Sequence, residues 1–228
     1  MLNWKNAIRY LILIAGLFFM GLGISLIIKS NLGTAPISSV AYVLSLIFPI
    51  TFGQFTFLIT LLFLLIEIII LGKDFPKEQY LQVLVAIFLG YFVDLGMTIC
   101  TFVNPDSYLG RLSALLLGCI ILAWGIYVQV TAEAIVNPGE GVVKIIAAKV
   151  GREFGVIKII FDFTLVSIAV IISFCAFGTL KGLREGTFIS AFMVGYITKI
   201  LNGIFKRFPV VNRFSQTASD KPPGTYCS

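Results

Sequence analysis

The sequence predicts an all-α integral membrane protein. Six transmembrane helices form two three-helix inverted repeats, each with a short broken helix. Three observations lead there. Of 228 residues, 58% are hydrophobic and 12% charged, with a mean hydropathy of +1.01; a soluble domain carries about 25% charged residues. Six apolar runs each approach the roughly 20 residues that a helix needs to cross a bilayer. The chain also repeats itself when displaced by 102 residues, which sets Arg9 on Arg111. The runs are continuous Leu, Ile, Phe and Val, without the alternation of a β-barrel, and helices satisfy their own backbone polar groups in lipid.

The first run, Ile8–Ile28, begins beside Lys5 and Arg9. It is too long for a signal-peptide core and no small-x-small cleavage site follows, so it reads as a retained span. The stretch "NLGTAPISSVAYVLSLIF" (Asn31–Phe48) then breaks the helix, leaving a short uncharged element near 36–49 between Pro36 and Pro49. Runs two and three cover Gly53–Leu71 and Tyr80–Phe102 and complete a first repeat over 5–102. Run four is Arg111–Thr131. A second break, "AIVNPGEGVVKIIAAKV" (Ala134–Val150), leaves a short helix near 138–151. Runs five and six, Gly155–Phe177 and Thr187–Phe205, complete a second repeat over 107–206. The polar tail, 207–228, reads as disordered and cytoplasmic.

The repeat rests on residues placed for backbone or charge reasons. The same displacement sets Gly16 on Gly118, Gly23 on Gly125, Pro36 on Pro138 and Gly53 on Gly155. After a slip of three residues, "AIFLGYFVDL" (Ala86–Leu95) aligns with "AFMVGYITKI" (Ala191–Ile200). Three spans per half is an odd number, so the second half inserts upside down relative to the first, a layout shared by many transporters. Gly16 and Gly23, like Gly118 and Gly125, fall on one helix face, where small residues let helices approach.

Lys and Arg in the loops set orientation. Lys5 and Arg9, Lys73 and Lys77, the set Lys144, Lys149 and Arg152, and the set Lys206, Arg207 and Arg213 all fall on one side of six spans. Both termini are therefore expected in the cytoplasm, with the protein multi-pass in a bacterial plasma membrane. The net charge of +6 follows from this bias and the tail, and implies no nucleic-acid partner.

Short helices that begin at a break expose unpaired N–H groups and the positive end of the dipole. In the first break Asn31, Thr34, Pro36, Ser38 and Ser39 form the candidate substrate contacts; in the second they are Asn137, Pro138, Gly139, Glu140 and Gly141. Glu140 departs from the pairing and suits a cation or proton. The short elements are re-entrant, interfacial or spanning on these grounds alone. An ionisable residue within a span is costly and a functional candidate by default. Asp162 is foremost, with Lys158 one turn before it, and a self-neutralising pair is the structural alternative. Asp94 aligns with Lys199, which suggests a pair across the two halves. Arg9 and Arg111 open matching spans and either cap the bundle or guard a pathway mouth. Glu67, near the end of run two, reads as a side chain reaching back to the interface.

There is no His, which removes the commonest general base and metal ligand. The four cysteines, Cys100, Cys119, Cys175 and Cys227, show no metal spacing. No ATP-binding motif occurs. No metal, cofactor or enzymatic activity is expected.

The residues "NLGTAP", "FGQFTFLITLLFLL", "LGYFVDLG", "NPGEGVVKIIAAKVG", "FGVIKIIFDF" and "REGTFISAFMVGYI" together resemble the YczE/YitT family of bacterial multi-span membrane proteins, over about residues 5–205. Lys158 and Asp162 in "KIIFDF" form the strongest single signature. The second break departs from the Leu-Gly-x-x-Pro pattern of the first. The resemblance implies a plasma-membrane protein and supplies no mechanism. The expected function is that of a small-solute secondary transporter or channel, its site between the repeats near the breaks and its partners the lipid bilayer and an unidentified solute. The alternative is a non-enzymatic subunit of a larger membrane complex, or a homo-oligomer.

Overall fold

The computed structural model describes residues 4–132 and 135–205. Ala134 of the second break, Lys206, Arg207, Arg213, Cys227 and the tail read as 207–228 lie outside the described residues. All regular structure among the described residues is helical.

Helix α1 (Trp4–Lys29) ends where Asn31 takes a left-handed backbone, φ 57°. The Ser30 hydroxyl donates to the Ile27 carbonyl at 2.6 Å and ties off the last turn. The chain then bends through Gly33, φ 130°, and an extended Ala35 to Pro36, which opens a 3₁₀ turn, Pro36–Ser38, and α2 (Ser39–Ile47). Helix α3 (Phe52–Leu71) starts at a capping box in which Thr51 and Gln54 satisfy each other's amides, at 3.1 and 3.2 Å. Helix α4 (Gln82–Ile99) is extended by 3₁₀ turns at Lys77–Leu81 and Cys100–Phe102. Ser107 caps α5 (Tyr108–Thr131). Asn137 caps α6 (Pro138–Val150), with Pro138 in the first turn, where its missing N–H costs nothing. Helix α7 (Phe154–Phe177) and α8 (Glu185–Phe205) complete the fold.

Among the described residues, five helices are long and apolar enough to cross a membrane: α1, α3, α4 with its flanking turns, α5 and α7. The sequence reading expects six. Helix α8 has 21 residues and is not among these five. Helices α2 and α6, of 9 and 13 residues, measure only about 14 and 20 Å at 1.5 Å per residue, short of the roughly 30 Å hydrocarbon core.

Helices α1 and α5 form the centre and run antiparallel. Gly16 packs against Gln129, Met20 against Gly125, Gly23 against Leu122 and Ile27 against Gly118. A Cβ on Gly16 would stand 2.7 Å from the Gln129 nitrogen, and one on Gly125 2.6 Å from the Met20 nitrogen. Neither space admits a side chain, so the glycines set the helix separation. Around this pair α4 packs on α1 and α3, and α8 on α5. The short helices cross over: α2 packs on α7 and α6 on α3. Leu17, Ile27, Leu115 and Val85 are completely or almost completely buried in the resulting core.

Candidate functional site

The crossover brings both breaks to one cavity of about 790 Å³. Pro36, Ile37 and Ser38 enter from the first break, Asn137 and Glu140 from the second. The breaks touch: the Ile37 side chain occupies the space where a Cβ on Gly139 would lie. Pro36 and Pro138 each stand at the first position of the short element that follows its break, where a missing N–H leaves no bond unmade. The N-terminal ends of the two short elements therefore meet in the protein interior, where irregular backbone is tolerated in a membrane protein because it lines a cavity.

The charged side chains of the lining all come from α6, α7 and α8. Lys158 and Asp162, one turn apart on α7, form an ion pair through Lys158 Nζ and Asp162 Oδ1. Glu140 lies within electrostatic reach of both. Lys199 of α8 lines the cavity as well. Two acids and two bases thus stand in a lining otherwise supplied by Met20, Ile24, Phe63, Leu89, Leu122 and similar side chains. On α3, Thr56 and Thr60 turn toward the same space while their hydroxyls donate to the Phe52 and Thr56 carbonyls at 2.9 and 2.7 Å.

The remaining sequence candidates hold the breaks in place or lie elsewhere. The Thr34 amide donates to Thr187 Oγ1 at 3.2 Å and its carbonyl accepts from Ser190 at 3.3 Å, which fastens the first break to α8. Ser39 donates to the Pro36 carbonyl at 2.6 Å. Pro138, Gly139 and Gly141 are buried in the first turn of α6. Asn31 and Arg111 line a second cavity of about 290 Å³ with Arg184, whose Nη1 donates to the Asn31 carbonyl at 3.2 Å. Arg111 also donates through Nε to the Pro105 carbonyl at 3.2 Å. Arg9 is exposed near the start of α1 and does not line the larger cavity.

Two expectations change. Asp94 does not meet Lys199 in this structure. Its carboxylate accepts from the Thr51 hydroxyl at 2.6 Å and the Gly53 amide at 2.7 Å, where the free N–H groups of α3 favour an anion. Glu67 does not reach an interface. It is fully buried, accepts from Gln82 Nε2 at 3.3 Å through Oε2, and lies against Gly141 of α6, with its Cδ 2.8 Å from where a Cβ would stand. The signal for it was the spacing Thr56, Thr60, Phe63, Glu67, which places all four on one face of a helix.

Residues 7–203 match a family described as a family of unknown function (DUF6198). The chain belongs to this family. It is similar to the uncharacterized membrane protein YczE of Bacillus subtilis (strain 168), with 25% identity over 197 residues, or 84% of each chain. That bears out the likeness to YczE-type proteins drawn from the sequence. No solved structure matches. The membrane relative and the long apolar helices together make this member of the DUF6198 family a multi-pass protein of the lipid bilayer.

Proposed function

We propose that the protein is a small-solute secondary transporter or channel, with the solute held in the 790 Å³ cavity between its halves. The observation that carries this reading is the meeting of both helix breaks with Glu140, Lys158, Asp162 and Lys199 around one cavity. A mostly apolar chamber with a few convergent polar groups is the usual form of a small-molecule site. The antiparallel α1–α5 pair and the crossed short helices support two inverted three-span repeats, with α8 as the sixth span and both termini in the cytoplasm of a bacterium. Transporter sites of this kind lie near the midplane, at broken helices between repeats. The balanced charge of the lining suits a polar solute bearing both signs, or one sign together with a coupled ion.

The test is flux into proteoliposomes across a panel of small polar solutes, comparing the native protein with D162N and E140Q. Solute-specific flux that either substitution lowers at least tenfold is expected. Flux indistinguishable from empty liposomes for every solute would sink the reading. Sided thiol labelling at S38C and E140C checks the inversion: labelling of both from the same side would remove it.

A further inference from the structure

The two halves are alike in sequence and differ in packing at one place. In the first half α3 and α4 are in close contact. The Gly53 carbonyl is 2.6 Å from where a Cβ on Gly90 would stand, and Phe57 covers the same glycine. Asp94 of α4 binds the Thr51 hydroxyl and the Gly53 amide at the start of α3. The 102-residue displacement carries Thr51, Gly53 and Phe57 onto Glu153, Gly155 and Ile159; the slipped alignment carries Gly90 and Asp94 onto Gly195 and Lys199.

In the second half these positions are apart. Nothing lies within 4 Å of a Cβ built on Gly155 or on Gly195. Helix α7 does not pack along α8 as α3 packs along α4. Ile159 is 71% exposed. Phe154, Lys158 and Asp162 line the cavity from α7, and Val194, Thr198 and Lys199 line it from α8, so the gap between the two helices leads into it. A helical glycine that packs against nothing weakens its helix, and two stand here on helices that flank one gap. Glu153 makes no side-chain capping bond, and neither Glu153 nor Lys199 is in an ion pair among the described residues.

We propose that α7 and α8 close on each other as α3 and α4 do, bringing Gly155 against Gly195 and Lys199 onto Glu153, and so shut this side of the cavity. The charge pattern fits the geometry. Where the first half joins an acid on α4 to a hydroxyl at the cap of α3, the second half offers a base on α8 and an acid at the cap of α7. Attraction is kept, with the acid moved to the helix N-terminus, where the dipole favours it. The closure regulates access to the proposed solute site and rests on that reading for its purpose, though not for its geometry.

The test is disulfide formation between E153C and K199C in the full chain, with Cys100, Cys119, Cys175 and Cys227 replaced and the protein in liposomes. A disulfide needs the two Cα atoms at about 4.4–6.8 Å. The expected result is cross-linking of the pair under mild oxidation, lowered severalfold by G195F, whose side chain has open space here but fills the closed contact. The pair T51C and D94C should cross-link irrespective of G195F. Absence of any E153C–K199C cross-link while both cysteines react singly with a soluble maleimide overturns the closure, as does a yield that G195F leaves unchanged. Cross-linking without flux of any solute would leave closure standing and remove the transport reading; flux without cross-linking would remove closure alone.

Discussion

Ile37 of the first break rests against Gly139 of the second, so the two irregular segments of the chain are in direct contact although they are far apart in sequence. Neither break could move inward on its own without displacing the other. Phe63 of α3 lies beside the same glycine, 3.5 Å from where its Cβ would be, which places the contact within the cavity wall.

The first prediction concerns that contact. G139L places a branched side chain where Ile37 and Phe63 already lie. Overpacking of this kind costs about 1–3 kcal/mol. The purified protein should therefore unfold at a lower temperature in detergent, and I37A should partly restore the double variant by making room. Double-variant stability equal to the sum of the two single losses would show that the residues do not share space.

The second prediction concerns Glu67. E67A deletes the acceptor of Gln82 Nε2 and leaves a buried amide unpaired, a loss of about 1–3 kcal/mol. The smaller change E67Q keeps the volume and a hydrogen-bonding group, and should cost less. Thermal unfolding of the two variants checks the order. Equal melting temperatures for the native protein and E67A would mean that the buried pair contributes nothing.

Much of this architecture was legible in the sequence, for identifiable reasons. Proline and glycine act through the local backbone, so Pro36, Pro138 and the glycine spacing of α1 and α5 could be read without a fold. The long apolar runs could be read because hydrophobicity accumulates along a segment. What the sequence left open were contacts between segments remote in the chain. Asp94 and Lys199 align as a pair, yet Thr51 and Gly53 are the partners of Asp94, because α3 and α4 are neighbours. Glu67 looked like an interface residue because it lies near the end of its run; only the crossover of α6 onto α3 buries it. Of the candidate contacts, Pro36, Ser38, Asn137 and Glu140 line the cavity. Ser39 instead bonds the Pro36 carbonyl, and the Thr34 backbone is held by the Thr187 and Ser190 hydroxyls, which composition cannot distinguish from a ligand contact.

The third prediction separates the aligned charges Asp94 and Lys199 by stability. D94A removes the carboxylate that accepts from Thr51 and Gly53 at the start of α3. Loss of such a cap costs about 0.5–2 kcal/mol. K199A removes an exposed side chain with no ion pair among the described residues. Substitutions away from such features usually fall within about 0.5 kcal/mol. Melting temperature should thus drop for D94A and hold for K199A; similar drops for both would point to a pairing that the present packing does not contain.

The last prediction concerns the glycines between α1 and α5. Gly16 and Gly125 meet in the same crossing, the Gly16 carbonyl lying 2.9 Å from where a Cβ on Gly125 would stand. Gly23 and Gly118 repeat the arrangement, at 3.1 Å. The displacement that relates the halves exchanges one pair for the other, so a change in either should act alike. G16V and G118V each drive a branched side chain into the opposing backbone, where no rotamer can relieve it. Both should destabilise the folded protein, and by similar amounts, although helix propensity alone would favour replacing glycine by a few tenths of a kcal/mol. Gly155 is the control, since nothing lies within 4 Å of its Cβ position: G155V should melt within a few degrees of the native protein. Unfolding midpoints for the three variants, measured in one detergent, decide whether the centre of the bundle is the antiparallel glycine crossing. A G16V protein as stable as G155V would place that centre elsewhere.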